Sequence, residues 1–241
     1  MTQIRKDSTR SDLFWARFED GAERPATQSL ARGIQVYGEE LVKEGTNEFR
    51  VWDPYRSKLA AALLRRLQAF AFRRGTSVLY LGASSGTTAS HVSDIVGPEG
   101  VVYCIEFAPR VMRDLIQVCT ARPNMIPILA DARNPEGYVQ VPQLVDVIYQ
   151  DVAQPNQAEI LVANARRFLK QGGTTYLALK ARSIDVVAKP EQLFPREEKK
   201  LTQAGFSVVD RMSLEPYTAD HAFISAVYGG EPDDQVRRIT R

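Results

Sequence analysis

The chain has 241 residues, 44% of them hydrophobic, enough to bury one substantial core with a small appendage. Its 31 basic and 29 acidic side chains leave a net charge of only +2, which excludes binding to nucleic acid by bulk charge and confines any such contact to a local patch. No run approaches the roughly eighteen apolar residues of a spanning helix, and Cys104 and Cys119 lack the spacing of a metal site. A soluble, cytoplasmic protein with buried thiols and no bound metal is therefore the expectation.

In chain order, residues 1–57 come first, with FWARFED, a Gly-rich middle and LVKEGTNEFRVWD, which reads as a hairpin around Thr46-Asn47. They predict a small β-rich N-terminal domain. In RSKLAAALLRRLQAFAF the residues Leu59, Leu63, Leu67 and Phe70 recur at helical spacing, which predicts one helix leading into a main domain over 58–230.

From Ser77 onward, short β-branched runs alternate with segments of helical period, the pattern of an α/β fold with a mostly parallel, Rossmann-like sheet. Strands are predicted at Val78 to Gly82, Val101 to Phe107, Met125 to Ala130, Val145 to Asp151 and Thr174 to Ala181. The helices between them include Thr87 to Val96, stopped by Gly97-Pro98, one opened by Pro109, and Gln157 to Leu169, for which Gly172-Gly173 reads as the cap. A last helix, Glu191 to Ala204, precedes FSVVDRMSLEP and HAFISAVYG. The link between those two runs is too short for a crossover helix, so the final pair is antiparallel. Residues 231–241 are polar and charged and predict a flexible tail.

The turn LGASSGTT, Leu81 to Thr88, joins a buried strand to a helix, and its small residues let backbone N–H groups approach a ligand at the helix N-terminus. Such a turn also serves NAD, nucleotides or simple chain reversal, but both the Gly-Lys-Ser/Thr ending and the G-x-G-x-x-G spacing are absent. Glu106 ends the second main-sheet strand, where a carboxylate accepts from both hydroxyls of an adenosine ribose. Asp131 follows the third, where it accepts from an adenine amino group with Ala132 beside it. Taken singly, each has an ordinary reading as a solvated strand end or a turn aspartate. Polar groups ending successive strands on one sheet edge point to an adenosine-containing cofactor.

GASSGTTASHVSDIVGPEG, DARNPEGY, DVAQPNQ, LALKARSID and LEPYTADHA, in that order, resemble the successive signature blocks of the fibrillarin family, a likeness that runs from Arg56 to Tyr228. The resemblance implies a class I methyltransferase sheet of seven strands, bound S-adenosylmethionine, and 2′-O-methylation of ribose in rRNA or tRNA directed by a box C/D guide RNA. It implies cofactor contacts from Gly82, Thr88, Glu106, Phe107, Asp131, Ala132, Asp151 and Gln154, with Ser84 and Thr87 completing the candidate set. Ser84 stands where the family more often has alanine. The family's Gly/Arg-rich extension is absent, so the chain resembles the compact archaeal members.

A methyl on a sulfonium is already activated, so the enzyme aligns the acceptor oxygen and assists loss of its proton, chemistry that needs no metal. The family's Lys-Asp-Lys-His set matches Lys58, Asp151, Lys180 and His221. Asp151 and Lys180 end parallel strands and His221 begins an antiparallel one, which brings all three to one sheet edge. Lys180 or Asp151 is the expected proton acceptor, with Lys58 and His221 orienting; His91, the other histidine, reads as structural. Protein glutamine methylation, a purely structural role in a particle, a small-molecule methyltransferase and an NAD-dependent reductase are the competing readings. No RNA-reading module is present in so weakly charged a chain, so target choice falls to base pairing with a guide RNA. The resemblance names the other partners as a Nop-domain scaffold protein and a kink-turn-binding ribosomal-protein homologue.

Overall fold

The computed structural model describes residues 2–141, 144–188 and 190–230, so the tail expected at 231–241 lies outside the described residues. The chain builds two sheets. The first holds β1 (Gln3–Lys6), β2 (Phe14–Arg17), β3 (Glu23–Gln28), β4 (Leu41–Glu44) and β5 (Asn47–Val51), in the order β1-β2-β3-β5-β4 and antiparallel throughout. The hairpin β4–β5 turns through Gly45-Thr46, next to the position read from sequence. This sheet's own buried cluster is only Ala16, Ala26 and Val51, while its neighbours Leu13 and Trp52 are buried in the main core. So small a cluster is marginal alone, and the sheet gains its stability by packing on the rest of the chain.

The second sheet contains β6 (Ser77–Leu81), β7 (Val101–Glu106), β8 (Met125–Leu129), β9 (Val145–Gln150), β10 (Leu169–Lys180), β11 (Phe206–Ser213) and β12 (His221–Tyr228). Its order is β11-β12-β10-β9-β6-β7-β8, parallel from β10 to β8, with β12 antiparallel to both neighbours. The expected seven strands with an antiparallel end are therefore present. Alternation along each strand divides its side chains between two cores. Val78, Tyr80, Tyr149 and Tyr176 pack on one face beneath α1 (Lys58–Leu64), α2 (Thr87–Val96) and α3 (Pro109–Thr120). Leu79, Leu81, Ile148 and Leu177 pack on the other beneath α4 (Gln157–Phe168) and α6 (Pro190–Gln203). A single turn, α5 (Ala181–Ile184), follows β10. Among the described residues no helix is long and apolar enough to cross a membrane.

Two expectations are corrected. The helix after Ser57 stops at Leu64, so Leu67 and Phe70 are not on it; Arg66 is left-handed, with φ 68°. Tertiary partners replace helical bonds there: Arg10 donates to the Leu67 carbonyl at 2.5 Å, and the Asp210 carboxylate accepts from the Gln68 and Ala69 N–H groups. Gly172-Gly173 does not cap α4 either, because Leu169 is already extended and opens β10. The pairing of β10 with β9 shifts register between Leu169 and Thr174, and a Cβ on Gly173 would lie 2.6 Å from the Leu169 side chain, so these glycines permit a bulge.

Candidate active site

The chain runs β6, β7, β8 to one sheet edge and returns to place β9 on the other side of β6. The reversal opens a crevice at the carboxyl ends of β6 and β9, where ligands of such sheets sit. Gly82 and Asp151 face each other across it. Gly82 is left-handed at φ 79°, and a Cβ there would strike the carbonyl oxygen of Asp151. Only glycine lets the two strand ends approach this closely.

A cleft at this edge is lined by Gly82, Ser84, Glu106, Phe107, Asp131, Ala132, Asp151 and Gln154, eight of the ten expected cofactor residues. Glu106 Oε2 accepts from the Ser84 N–H and Oε1 from the Ala108 N–H, both at 2.9 Å. Each oxygen keeps a lone pair, which suits a ribose diol. Ser84 takes the left-handed conformation, φ 50°, while making its bond to Glu106. Asp131 is gripped by Arg133, whose Nη2 lies 2.5 Å from Oδ2, and that hydrogen bond above all holds the carboxyl below its usual range. Ile105, Val152 and Ile160 give the cleft apolar walls, and Phe107 exposes its ring. An acidic acceptor pair over a small apolar slot fits adenosine.

Thr87 and Thr88 are not among the cleft-lining residues. The Thr88 hydroxyl instead donates to Ser57 Oγ at 2.9 Å, and Ser57 Oγ caps α1 by accepting from the Ala60 N–H at 3.3 Å. The cofactor loop is thereby tied to the helix whose first residue is Lys58. Arg133, Ala130, Val152 and Ala153 line the cleft without having been expected. Arg133, Val152 and Ala153 lie within the same sequence blocks, and no side-chain chemistry marks them.

The four expected catalytic residues come together from segments far apart in sequence. Lys58 Nζ lies 2.7 Å from Asp151 Oδ2, with both side chains about one-quarter exposed (25% and 26%). Lys180 and His221 are register partners on the antiparallel strands β10 and β12. His221 donates from Nδ1 to the Ala219 carbonyl at 2.6 Å, which leaves Nε2 as its basic nitrogen. Burial lowers its pKa below 6.5; the Ala219 bond opposes this, the charges of Lys58 and Lys180 add to it, and Asp151 counters them. Its neutral form therefore faces the other three groups at pH 7.

Gln157, fully buried at the start of α4, clamps the Lys180 main chain: its Oε1 accepts from the Lys180 N–H at 3.0 Å and its Nε2 donates to the Lys180 carbonyl at 3.1 Å. A buried amide opening a helix was the available signal for this residue. Beneath Asp151, Tyr80 and Tyr149 lie with ring centroids 4.5 Å apart. Burial first, reinforced by the Asp151 charge, pushes both phenols well above their ordinary value, so they form a neutral floor.

The sheet order, the glycine at the strand crossing and the acidic end of β7 define a class I methyltransferase. The fibrillarin family model matches residues 4–230, and the chain belongs to the fibrillarin family. It is 55% identical over 218 residues to the fibrillarin-like rRNA/tRNA 2′-O-methyltransferase of Methanopyrus kandleri, covering 90% of this chain and 94% of that protein. The solved structure of Aeropyrum pernix fibrillarin with natively bound S-adenosyl-L-methionine superposes with a TM-score of 0.88 at 48% identity, over 94% of this chain and 99% of that one. A fibrillarin/Nop5p complex gives 0.76 at 44% identity, over 85% and 93%.

Proposed function

We propose that this chain transfers the methyl group of S-adenosylmethionine to ribose 2′-hydroxyls of rRNA and tRNA as the catalytic subunit of a box C/D guide-RNA particle. The observation that carries the reading is the convergence of Lys58, Asp151, Lys180 and His221 beside an adenosine-shaped cleft. The names of its relatives agree with it. A Nop-domain scaffold is the partner that the fibrillarin/Nop5p complex supports. The guide RNA and a kink-turn-binding ribosomal-protein homologue complete the particle.

The bound cofactor supplies a methyl already activated on sulfonium. Glu106 holds the ribose hydroxyls of its adenosine, and Asp131 and Ala132 the adenine edge. Lys58 occupies Oδ2 of Asp151 and leaves Oδ1 open to the acceptor hydroxyl. As the new O–C bond formed and the S–C bond broke, its electron pair returning to sulfur to leave the neutral thioether, the hydroxyl oxygen would lose electron density and its proton become strongly acidic, so the Asp151 carboxylate would suffice to take it. Lys180 and the Nε2 of neutral His221 orient the ribose, and Gln157 fixes the end of the strand that carries Lys180.

The experiment is transfer of labelled methyl to RNA by the chain alone and after assembly with scaffold, kink-turn protein and guide. The chain alone binds S-adenosylmethionine but barely modifies free RNA, and the assembled particle methylates the guide-selected nucleotide. Efficient, site-selective methylation of naked RNA by the isolated chain would overturn the guide-dependent reading.

A further inference from the structure

Among the described residues only two aromatic rings are largely exposed, Phe107 at 64% and Tyr55 at 63%. Phe107 lines the cofactor cleft. Tyr55 does not, and exposing so large a ring forgoes burial that the fold could have used. Its position is specific: it sits in the turn joining β5 to α1, three residues before Lys58.

The turn is anchored, because the Tyr55 N–H donates to Asp53 Oδ1 at 2.9 Å. The ring is anchored too. It meets Tyr217 edge to face, with centroids 5.5 Å apart and planes at 67°. Tyr217 is partly buried against the main core, and its N–H donates to the Leu214 carbonyl at 3.0 Å. The residue after it, Thr218, places its hydroxyl 3.1 Å from Nδ1 of His221. The tyrosine pair therefore bridges the two turns that lead into Lys58 and His221, and it holds an exposed aromatic surface on the segments that position them.

We propose that Tyr55, braced by Tyr217, is a stacking contact for the RNA strand that carries the acceptor ribose, meeting a base or sugar face of a nucleotide next to the target. The inference rests on the RNA methyltransferase reading above and adds a binding residue to it. Stacking on an aromatic face is tolerant of sequence, since every base has a π-face. That tolerance suits a chain whose target is chosen by a guide rather than by its own base contacts. It also supplies affinity that a net charge of +2 does not provide through phosphates. A ring already held by its neighbour loses little freedom when RNA arrives.

The test measures steady-state methylation of guide-matched RNA by particles assembled with wild-type chain, Tyr55→Phe, Tyr55→Trp and Tyr55→Leu, alongside S-adenosylmethionine affinity. Phe and Trp keep an aromatic face and hold KM for RNA near the wild-type value. Leu keeps apolar bulk but not the face, and raises that KM about tenfold, with kcat at saturating RNA and cofactor affinity unchanged. A wild-type KM in the Leu variant, or a fall in kcat alone, overturns the proposal; the second result would make the pair a brace for the catalytic loops. A wild-type particle that transfers no methyl defeats the functional reading itself, and this inference with it, before any variant is compared.

Discussion

The chain's two histidines sit in polar clusters built to opposite ends. His91 is fully buried in α2, with Thr27 Oγ1 on Nδ1 and the Tyr37 hydroxyl on Nε2, both at 2.8 Å, and Trp52 stacked on its ring at 4.5 Å. Around it Asp94 joins Arg50 at 2.8 Å and Arg122 at 2.5 Å, and Arg50 also reaches Glu39 at 2.6 Å. Two cations meet two carboxylates and both ring nitrogens are partnered, while the buried Arg122 Nη2 and Trp52 Nε1 have no hydrogen-bond partner. His221 keeps one nitrogen tied to Ala219 and the other open, beside a lysine–aspartate pair still reached by solvent. The buried ion network ties the N-terminal sheet to the methyltransferase core, while the second cluster keeps a basic nitrogen open, which the proposed reaction uses.

The sharpest way to break the comparison is at Asp94. Asp94→Ala strands Arg122 in the interior, leaves Arg50 with Glu39 and Ser90, and lowers unfolding free energy by about 3–5 kcal/mol, measured by urea denaturation. A loss below 1 kcal/mol, on the scale of an exposed pair, would mean that water enters this interface and that the two sheets are not locked by it.

A smaller effect follows at His91. His91→Phe keeps a ring against Trp52 but removes one hydrogen bond each from Thr27, which keeps Asp94, and from Tyr37, which keeps Val51 and Asp53, a loss of about 1–3 kcal/mol at pH 7 for the two bonds together. Its pH dependence is more telling. Burial, then the charges of Arg50 and Arg122, hold the His91 pKa well below 6.5 in the fold. The unfolded chain therefore takes up an extra proton as the pH falls below about 6.5, so the stability that neutral His91 contributes is complete above that pH and is lost as pH falls through the folded value. Unfolding free energies at pH 7 and pH 5 should show a steeper drop for the wild type than for His91→Phe, and equal slopes would deny that His91 is held neutral.

The reactive cluster was far more legible in the sequence than the locking one. Strand ends are local features: Glu106, Asp131, Asp151 and Lys180 each follow an apolar run, and a parallel sheet places such ends on one edge. The short link before His221 required the strand reversal that brings it beside Lys180. Arg50 on β5, Asp94 on α2 and Arg122 in the turn after α3 meet from three separate segments, and no periodicity in the chain announces a nonlocal ion network. The same limit explains α1, where Arg10 and Asp210 satisfy the backbone after Leu64 that a helix would otherwise have satisfied. The family resemblance implies a cofactor contact for Thr88, and only the fold reveals its hydroxyl on Ser57.

The central claim is that the open cluster acts on the acceptor hydroxyl through Asp151. Its most direct test is the single-turnover rate of methyl transfer to guide-matched RNA by the assembled particle carrying Asp151→Asn, at saturating S-adenosylmethionine. The account predicts a rate about a hundredfold or more below wild type, with the fold intact, because the amide keeps the shape of the carboxylate but does not accept the proton. A rate within twofold of wild type would contradict it and move the proton acceptor elsewhere.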